Sequence, residues 1–158
     1  MPTDIYTEFL AVIDALNEAC LDYAVCGGIG LAIHGHPRFT RNIDFLIQAE
    51  SWNAIRGTLA PSGYTLAAGP IPFDTGKPTA RELMRLSKAT GEDEELLTLD
   101  FLLVAPSLED AWAHREVYSW QGRQIRAVSR ESLADMKRLA GRPQDLADLA
   151  VLEGNGNG

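Results

Sequence analysis

At 158 residues the chain has room for one domain with a sizeable core and little room for a second. Hydrophobic residues at 46% and charged residues at 23% are ordinary for a globular protein, and no apolar run approaches the roughly 20 residues of a membrane span. A formal net charge of −8 argues against sequence-independent grip on nucleic acid, which needs many phosphate contacts.

The charge is uneven. Up to His114 there are 7 basic and 16 acidic residues, a balance of −9; from Arg115 to Arg142 there are 7 basic and 3 acidic, a balance of +4. That basic stretch could hold a triphosphate or an RNA end, or simply be a solvated face. The N-terminus, Met-Pro-Thr-Asp-Ile, lacks the basic start and apolar stretch of a signal peptide, so cytoplasm is the expected location. Cys20 and Cys26 form neither a disulfide framework nor a metal-knuckle spacing and read as small buried hydrophobes.

In chain order, Ile5, Phe9, Val12, Ile13 and Leu16 give an amphipathic helix over Asp4 to Cys20, capped by Thr3 or Asp4. Leu21 to Cys26 reads as a strand, stopped by Gly27-Gly28, and Ile29 to His34 as a short helix broken by Gly35-His36-Pro37. Ile43 to Ile47 is a second strand and Ser51 to Leu59 a helix with Ser51 as cap. Three prolines and two glycines make Gly69 to Pro78 an expected irregular loop. Strands follow over Arg81 to Ser87 and Leu96 to Val104, joined by an acidic turn over Gly91 to Glu95. Leu108 to Ala113 is a short helix and Arg123 to Val128 the last strand; helices then run over Ser129 to Ala140 and Pro143 to Glu153. A single domain over residues 1–153 with a flexible tail over 154–158 is the expected organisation.

Three features carry chemistry. Gly27-Gly28, between a strand and a helix, lets the backbone turn sharply and brings amide groups toward a phosphate; a tight packing turn is the alternative. On the strand Asn42-Ile43-Asp44-Phe45-Leu46-Ile47, residues two apart share a face, so Asn42 and Asp44 project together while Ile43, Phe45 and Ile47 enter the core. Paired oxygen ligands at that spacing suit Mg²⁺; a strand-end carboxylate capping a turn is the alternative for Asp44. Asp100 interrupts the most apolar strand, where a charge is costly unless it is paired, metal-bound or held in a buried hydrogen-bond network.

The stretch from Tyr23 to Ile47, with its Gly-Gly turn, His34-Gly35 helix end, Arg38-Phe39-Thr40 segment and the Asn42-x-Asp44 pair on a strand, resembles the opening of the nucleotidyltransferase superfamily. More narrowly it is similar to the abortive-infection (AbiEii-type) toxin nucleotidyltransferases, and in length and layout to small aminoglycoside and lincosamide nucleotidyltransferases. The run from Ser132 to Leu149 looks like that family's Lys-containing and Arg-x-x-Asp-x-x-Asp segments, so the matches span most of the chain in order. The resemblance implies an α/β (α+β) fold, a mixed sheet flanked by helices with further helices at the C-terminus.

It also implies a Mg²⁺-dependent enzyme that moves a nucleoside monophosphate from an NTP to an acceptor hydroxyl on RNA, a protein or a small molecule such as an antibiotic. Asp44, Asp100 and Asn42 would form a two-ion site, with Asp100 also helping to deprotonate the acceptor. Gly27, Gly28, Arg41, Lys137 and Asp148 would hold the nucleotide, and Asp44, Asp100 and Lys137 would carry catalysis. The family's first carboxylate is Asn42 here, which brings a carbonyl oxygen but no negative charge and cannot bridge two dications. A degenerate nucleotide-binding protein or toxin–antitoxin-like partner on the same fold is therefore the rival, and a homo-oligomer or cognate partner protein is left open.

Taken alone, Arg38 and Arg41 fit either phosphate contact or solvation, and Lys137 borders the apolar stripe of its helix as a snorkelling side chain would. Asp145 and Asp148 sit in the first turns of a helix, where acids suit the dipole. His34 and His36 read as loop or packing residues.

Overall fold

The computed structural model describes residues 4–90 and 95–154. Helix α1 spans Ile5–Glu18; the Asp4 carboxylate caps it, accepting from the Tyr6 N–H at 3.1 Å and the Thr7 hydroxyl at 2.9 Å. Its buried stripe is Phe9, Val12, Ile13 and Leu16, as the spacing predicts. There follow β1 (Ala24–Cys26), α2 (Gly27–Ile33), β2 (Asn42–Ile47), α3 (Trp52–Leu59), β3 (Leu66–Phe73), β4 (Arg81–Ala89) and β5 (Leu96–Leu103). The chain continues through α4 (Glu109–Ala113), β6 (Glu116–Trp120), β7 (Arg123–Ala127), α5 (Arg130–Ala140) and α6 (Pro143–Gly154).

The strands form one seven-stranded mixed sheet in the order β3-β4-β5-β2-β1-β7-β6. Central β2 runs parallel to β5 and antiparallel to β1, and β1 runs parallel to β7. The pleat sorts side chains to two faces. Ile43, Phe45 and Ile47 of β2 and Leu99 and Phe101 of β5 pack with the α1 stripe and Ile55 and Leu59 of α3, and Phe45 stacks on Phe101 with ring centroids 5.2 Å apart. On the other face Leu46 joins Leu31, Leu108, Leu133 and Leu152 under α2, α4, α5 and α6. Asp44 and Asp100, one residue out of phase with the first core, therefore face the C-terminal helices.

Several expectations are corrected. The proline-rich middle is not all loop, because Leu66–Phe73 is strand β3. It lies at the sheet edge and its register on β4 shifts between Ala68 and Ile71, and an edge with a bulge tolerates prolines that a central strand would reject. Strand β6, not foreseen, forms a hairpin with β7 through Gln121-Gly122, both at positive φ (50° and 77°), the backbone of a tight two-residue turn. Cys20 is exposed rather than buried, since α1 ends at Glu18 and Cys20 turns out of its stripe at φ 57°. Gly154 belongs to α6, not to a tail. The expected acidic turn falls largely on residues 91–94, outside the described residues. No described helix is long and apolar enough to cross a membrane.

Candidate active site

The parallel register of β2 on β5 sets Asn42 opposite Thr98 and Asp44 opposite Asp100. Two aspartates far apart in sequence thus stand side by side on one face. The Asp44 carboxyl is pushed up from its ordinary 3.8 to about 6, first by burial and then by the like charge of Asp100, against the opposing pull of Lys137 and Arg142. Asp44 makes no ion pair among the described residues. Asn42 is exposed at the start of the same strand.

Asp100 is 6% exposed and does have a partner. Arg85 lies directly across on β4, and its Nε and Nη2 donate to the two carboxylate oxygens at 2.7 and 3.3 Å. This forked pair answers the desolvation problem that the sequence poses at Asp100. The Arg85 guanidinium is held more firmly protonated by that bond, and Asp44 adds to the effect.

The Gly27-Gly28 turn is shaped by its neighbours. Gly27 adopts φ +63°, and a Cβ there would stand 2.1 Å from Asp44 Oδ2, so the Asp44 carboxylate rests on the bare α-carbon. A Cβ on Gly28 would meet Thr40 Oγ1 at 2.8 Å and Arg38 Nη1 at 3.4 Å. The Arg38–Thr40 segment therefore lies over the turn. Arg41 is exposed, with its guanidinium 5.7 Å from the Phe39 ring centroid.

A second cluster closes the site from α5 and α6. Lys137 does not snorkel: it is 5% exposed, and its Nζ meets Asp148 Oδ2 at 2.8 Å and Asp145 Oδ1 at 3.6 Å. Asp148 also accepts two bonds from Arg38, each 2.7 Å, and one from Gln144 at 3.0 Å. Asp145 accepts from Arg142 Nε at 2.6 Å and Nη2 at 3.2 Å. Arg38 and Lys137 outweigh burial at Asp148 and hold its carboxyl down at about 2; Arg142 and Lys137 likewise hold Asp145 below its ordinary value despite burial. Asp145 and Asp148 thus serve as anchors for three cations, a role beyond simple helix-dipole acids.

Of the expected site residues, Gly27, Gly28, Asp44 and Asp100 come together on one side and Lys137 and Asp148 on the other. The electrostatic influence of Lys137 and Arg142 on Asp44 places the two clusters within reach of each other. Arg41 stands outside both, and Arg38 is the arginine that enters. Arg85 was missed by sequence reasoning, and Arg142 entered it only as the first residue of the Arg-x-x-Asp-x-x-Asp segment, with no role of its own. Arg142 carried a local signal, three residues before Asp145 and just ahead of α6, whereas Arg85 carried none. His34 packs, with Nε2 2.9 Å from the Val128 carbonyl and its ring edge-on to Tyr118. Among the described residues no group of three or more His, Cys, Asp or Glu side chains could hold a metal ion; Asn42, two residues before Asp44 on β2, carries a further side-chain oxygen.

No protein-family model matches the chain, and no curated protein matches it by sequence. Solved structures do. The lincosamide antibiotic adenylyltransferase LnuA, bound to lincomycin, aligns over 93% of this chain and 95% of its own, at 17% identity and a TM-score of 0.58. The structure of ANT(2'')-Ia with adenylyl-2''-tobramycin aligns over 99% of this chain and 91% of its own, at 16% identity and a TM-score of 0.63. An antigenic nucleotidyltransferase-like protein from Paracoccidioides brasiliensis aligns over 90% and 72%, at 17% identity and a TM-score of 0.58. With its mixed seven-stranded sheet flanked by helices and these structural relatives, the chain has the nucleotidyltransferase fold.

Proposed function

We propose that this protein transfers a nucleoside monophosphate from an NTP to an acceptor hydroxyl, with Mg²⁺ as cofactor. The observation that carries this reading is Asp44 standing beside Asp100 in parallel register, its carboxylate seated on Gly27. The donors suit the ion. Two carboxylates and the Asn42 amide are all oxygen ligands, and Asp44 is a crowded carboxylate with no cation of its own. When bound, Mg²⁺ would lend positive charge to the reacting phosphates and ease ionisation of the acceptor hydroxyl.

In that reaction the acceptor oxygen bonds to the α-phosphorus, the bridging α–β P–O bond breaks, and pyrophosphate leaves with the electron pair. Lys137, Arg38 and Arg142 form the cationic side of the site, fixed by Asp145 and Asp148 so that their positions are set before nucleotide arrives. For the acceptor proton, Asp44 is the base we favour, because its carboxyl is raised by burial and carries no cation while both Asp100 oxygens accept from Arg85; this shifts to Asp44 a role that the family resemblance suggests for Asp100. Gly27 and Gly28 would offer backbone amides to the triphosphate, with Asp44 packed on Gly27 and Thr40 and Arg38 over Gly28, and Arg41 stands at the exposed rim.

The fold relatives that hold lincomycin or an adenylylated tobramycin make small polyhydroxylated antibiotics the first acceptors to try, ahead of RNA ends and proteins. A non-catalytic nucleotide binder or toxin–antitoxin-like partner is the second reading, favoured by Asn42 and by the arginine on Asp100. A melting experiment separates them from a purely structural protein. Mg²⁺ with a non-hydrolysable NTP should raise the melting temperature, nucleotide alone should do much less, and Asp44→Asn should erase the Mg²⁺-dependent part. Incubation with each α-labelled NTP and a panel of aminoglycosides, lincosamides and bulk RNA then decides between transfer and binding. No shift at millimolar ligand would sink both readings.

A further inference from the structure

We infer that this site takes a single divalent cation, and that the Arg85 guanidinium permanently supplies the second positive charge at Asp100. The inference rests on the nucleotidyl-transfer reading and adds to it the number of ions and a positioning residue, Arg85.

Arg85 comes from β4, directly opposite Asp100 in the strand register, and its fork engages both carboxylate oxygens at 2.7 and 3.3 Å. The Arg85 side chain is 41% exposed while that of Asp100 is 7% exposed, so the guanidinium covers Asp100 from the solvent side. A carboxylate whose two oxygens already accept from a permanent cation keeps lone pairs for one further ligand, but its charge is already offset, so it attracts a second dication weakly. On the neighbouring strand Asn42 offers an amide oxygen where a third carboxylate would have brought charge.

The charge arithmetic of the carboxylate side follows. Asp44 and Asp100 contribute −2 and Arg85 contributes +1, a net of −1. An aspartate at position 42 with a neutral residue at 85 would give −3. The two positions together remove two negative charges, which is the charge of one divalent ion. Holding two dications so close together requires that missing charge to offset their repulsion. Asp44, which makes no ion pair among the described residues, is the carboxylate left to take that one ion.

Counting Mn²⁺ by electron paramagnetic resonance in the presence of a non-hydrolysable NTP tests this directly. The parent protein should bind one Mn²⁺ per protein–nucleotide complex, with no Mn–Mn coupling. The double variant Asn42→Asp/Arg85→Gln should bind two, with coupling. Without nucleotide, Arg85→Gln alone should bind Mn²⁺ at least tenfold more tightly than the parent, and Arg85→Lys should match the parent. Two coupled ions in the parent would overturn this inference and leave the transfer reading intact. No bound ion in either the parent or the double variant would overturn the transfer reading itself. An Arg85→Gln protein that melts lower but binds Mn²⁺ with unchanged affinity would make Arg85 only a strand-to-strand pin and end the proposal. The ion count of the parent decides the matter even if a variant fails to fold.

Discussion

Asp44 and Asp100 on the sheet, and Asp145 and Asp148 on α6, are two aspartate pairs walling one site, and their environments are opposite. The sheet pair shares one cation, Arg85, on Asp100 alone, and Asp44 is driven up to about 6 by burial and its neighbour. The helix pair is at least as buried, 2% exposed at each residue, yet it is surrounded by Lys137, Arg38 and Arg142, and Asp148 is held down at about 2. Burial alone therefore does not decide how a carboxylate behaves; the number of fixed cations around it does. The helix pair is finished architecture, while the sheet pair is left short of positive charge. A site that must accept a cation on one side and phosphates on the other needs that asymmetry.

The largest expected effect tests the finished side. Asp148→Asn removes the negative charge and one of the two acceptor oxygens shared by Lys137 and Arg38, leaving a buried lysine whose only ionic contact among these is the longer one to Asp145. Loss of about 3–5 kcal/mol of stability is expected in denaturant titration, the range for breaking one side of a buried pair. A change below ~1 kcal/mol would mean that this network is solvated and not the anchor described here.

Next comes the seam between the turn and the sheet pair. Gly27→Ala places a Cβ against Asp44 Oδ2 at a backbone φ of +63°. It should destabilise by about 2–4 kcal/mol, combining left-handed strain with overpacking. It should also lose the Mg²⁺-dependent melting shift, because Asp44 must move. If Gly27→Ala keeps that shift, the carboxylate does not depend on the bare glycine.

The smallest effect, and the most diagnostic, is on the unfinished side. Because the folded Asp44 carboxyl lies at about 6, above its ordinary 3.8, the folded state holds its proton more tightly. The associated stability is complete below 3.8 and is lost as pH rises through about 6. Asp44→Asn should therefore be more stable than the parent at neutral pH without metal, by about 2 kcal/mol, with the gap closing as the pH is lowered through that window. Asp148 has the reverse sign: its contribution is present above 3.8 and is lost as pH falls through about 2, so parent and variant should decline together there. Melting curves across both windows check the two signs at once. An Asp44→Asn protein less stable than the parent at neutral pH would show that the carboxylate is satisfied in the apo fold.

The sequence by itself determined the parts of this protein that depend on local periodicity. The helical stripe of α1, the alternation that puts Asn42 and Asp44 on one face of β2, the charge buried at Asp100 and the glycine turn that opens α2 are all legible from neighbours within a few residues. So was Lys137 at the margin of an apolar stripe, although not its burial.

Only the tertiary structure decided partnership. That β2 and β5 run parallel and adjacent, in the register that pairs Asp44 with Asp100, is set by the whole sheet order and not by either strand. Arg38 reaches Asp148 across 110 positions of sequence, and Arg85 meets Asp100 across a hairpin whose register no spacing rule fixes. Side-chain charge acts through space over a few ångströms, whereas sequence pattern reports only the period of the local backbone. The composition of the site could thus be read along the chain, but its electrostatic balance, an overfilled helix side and an underfilled sheet side, exists only once the strands are laid edge to edge.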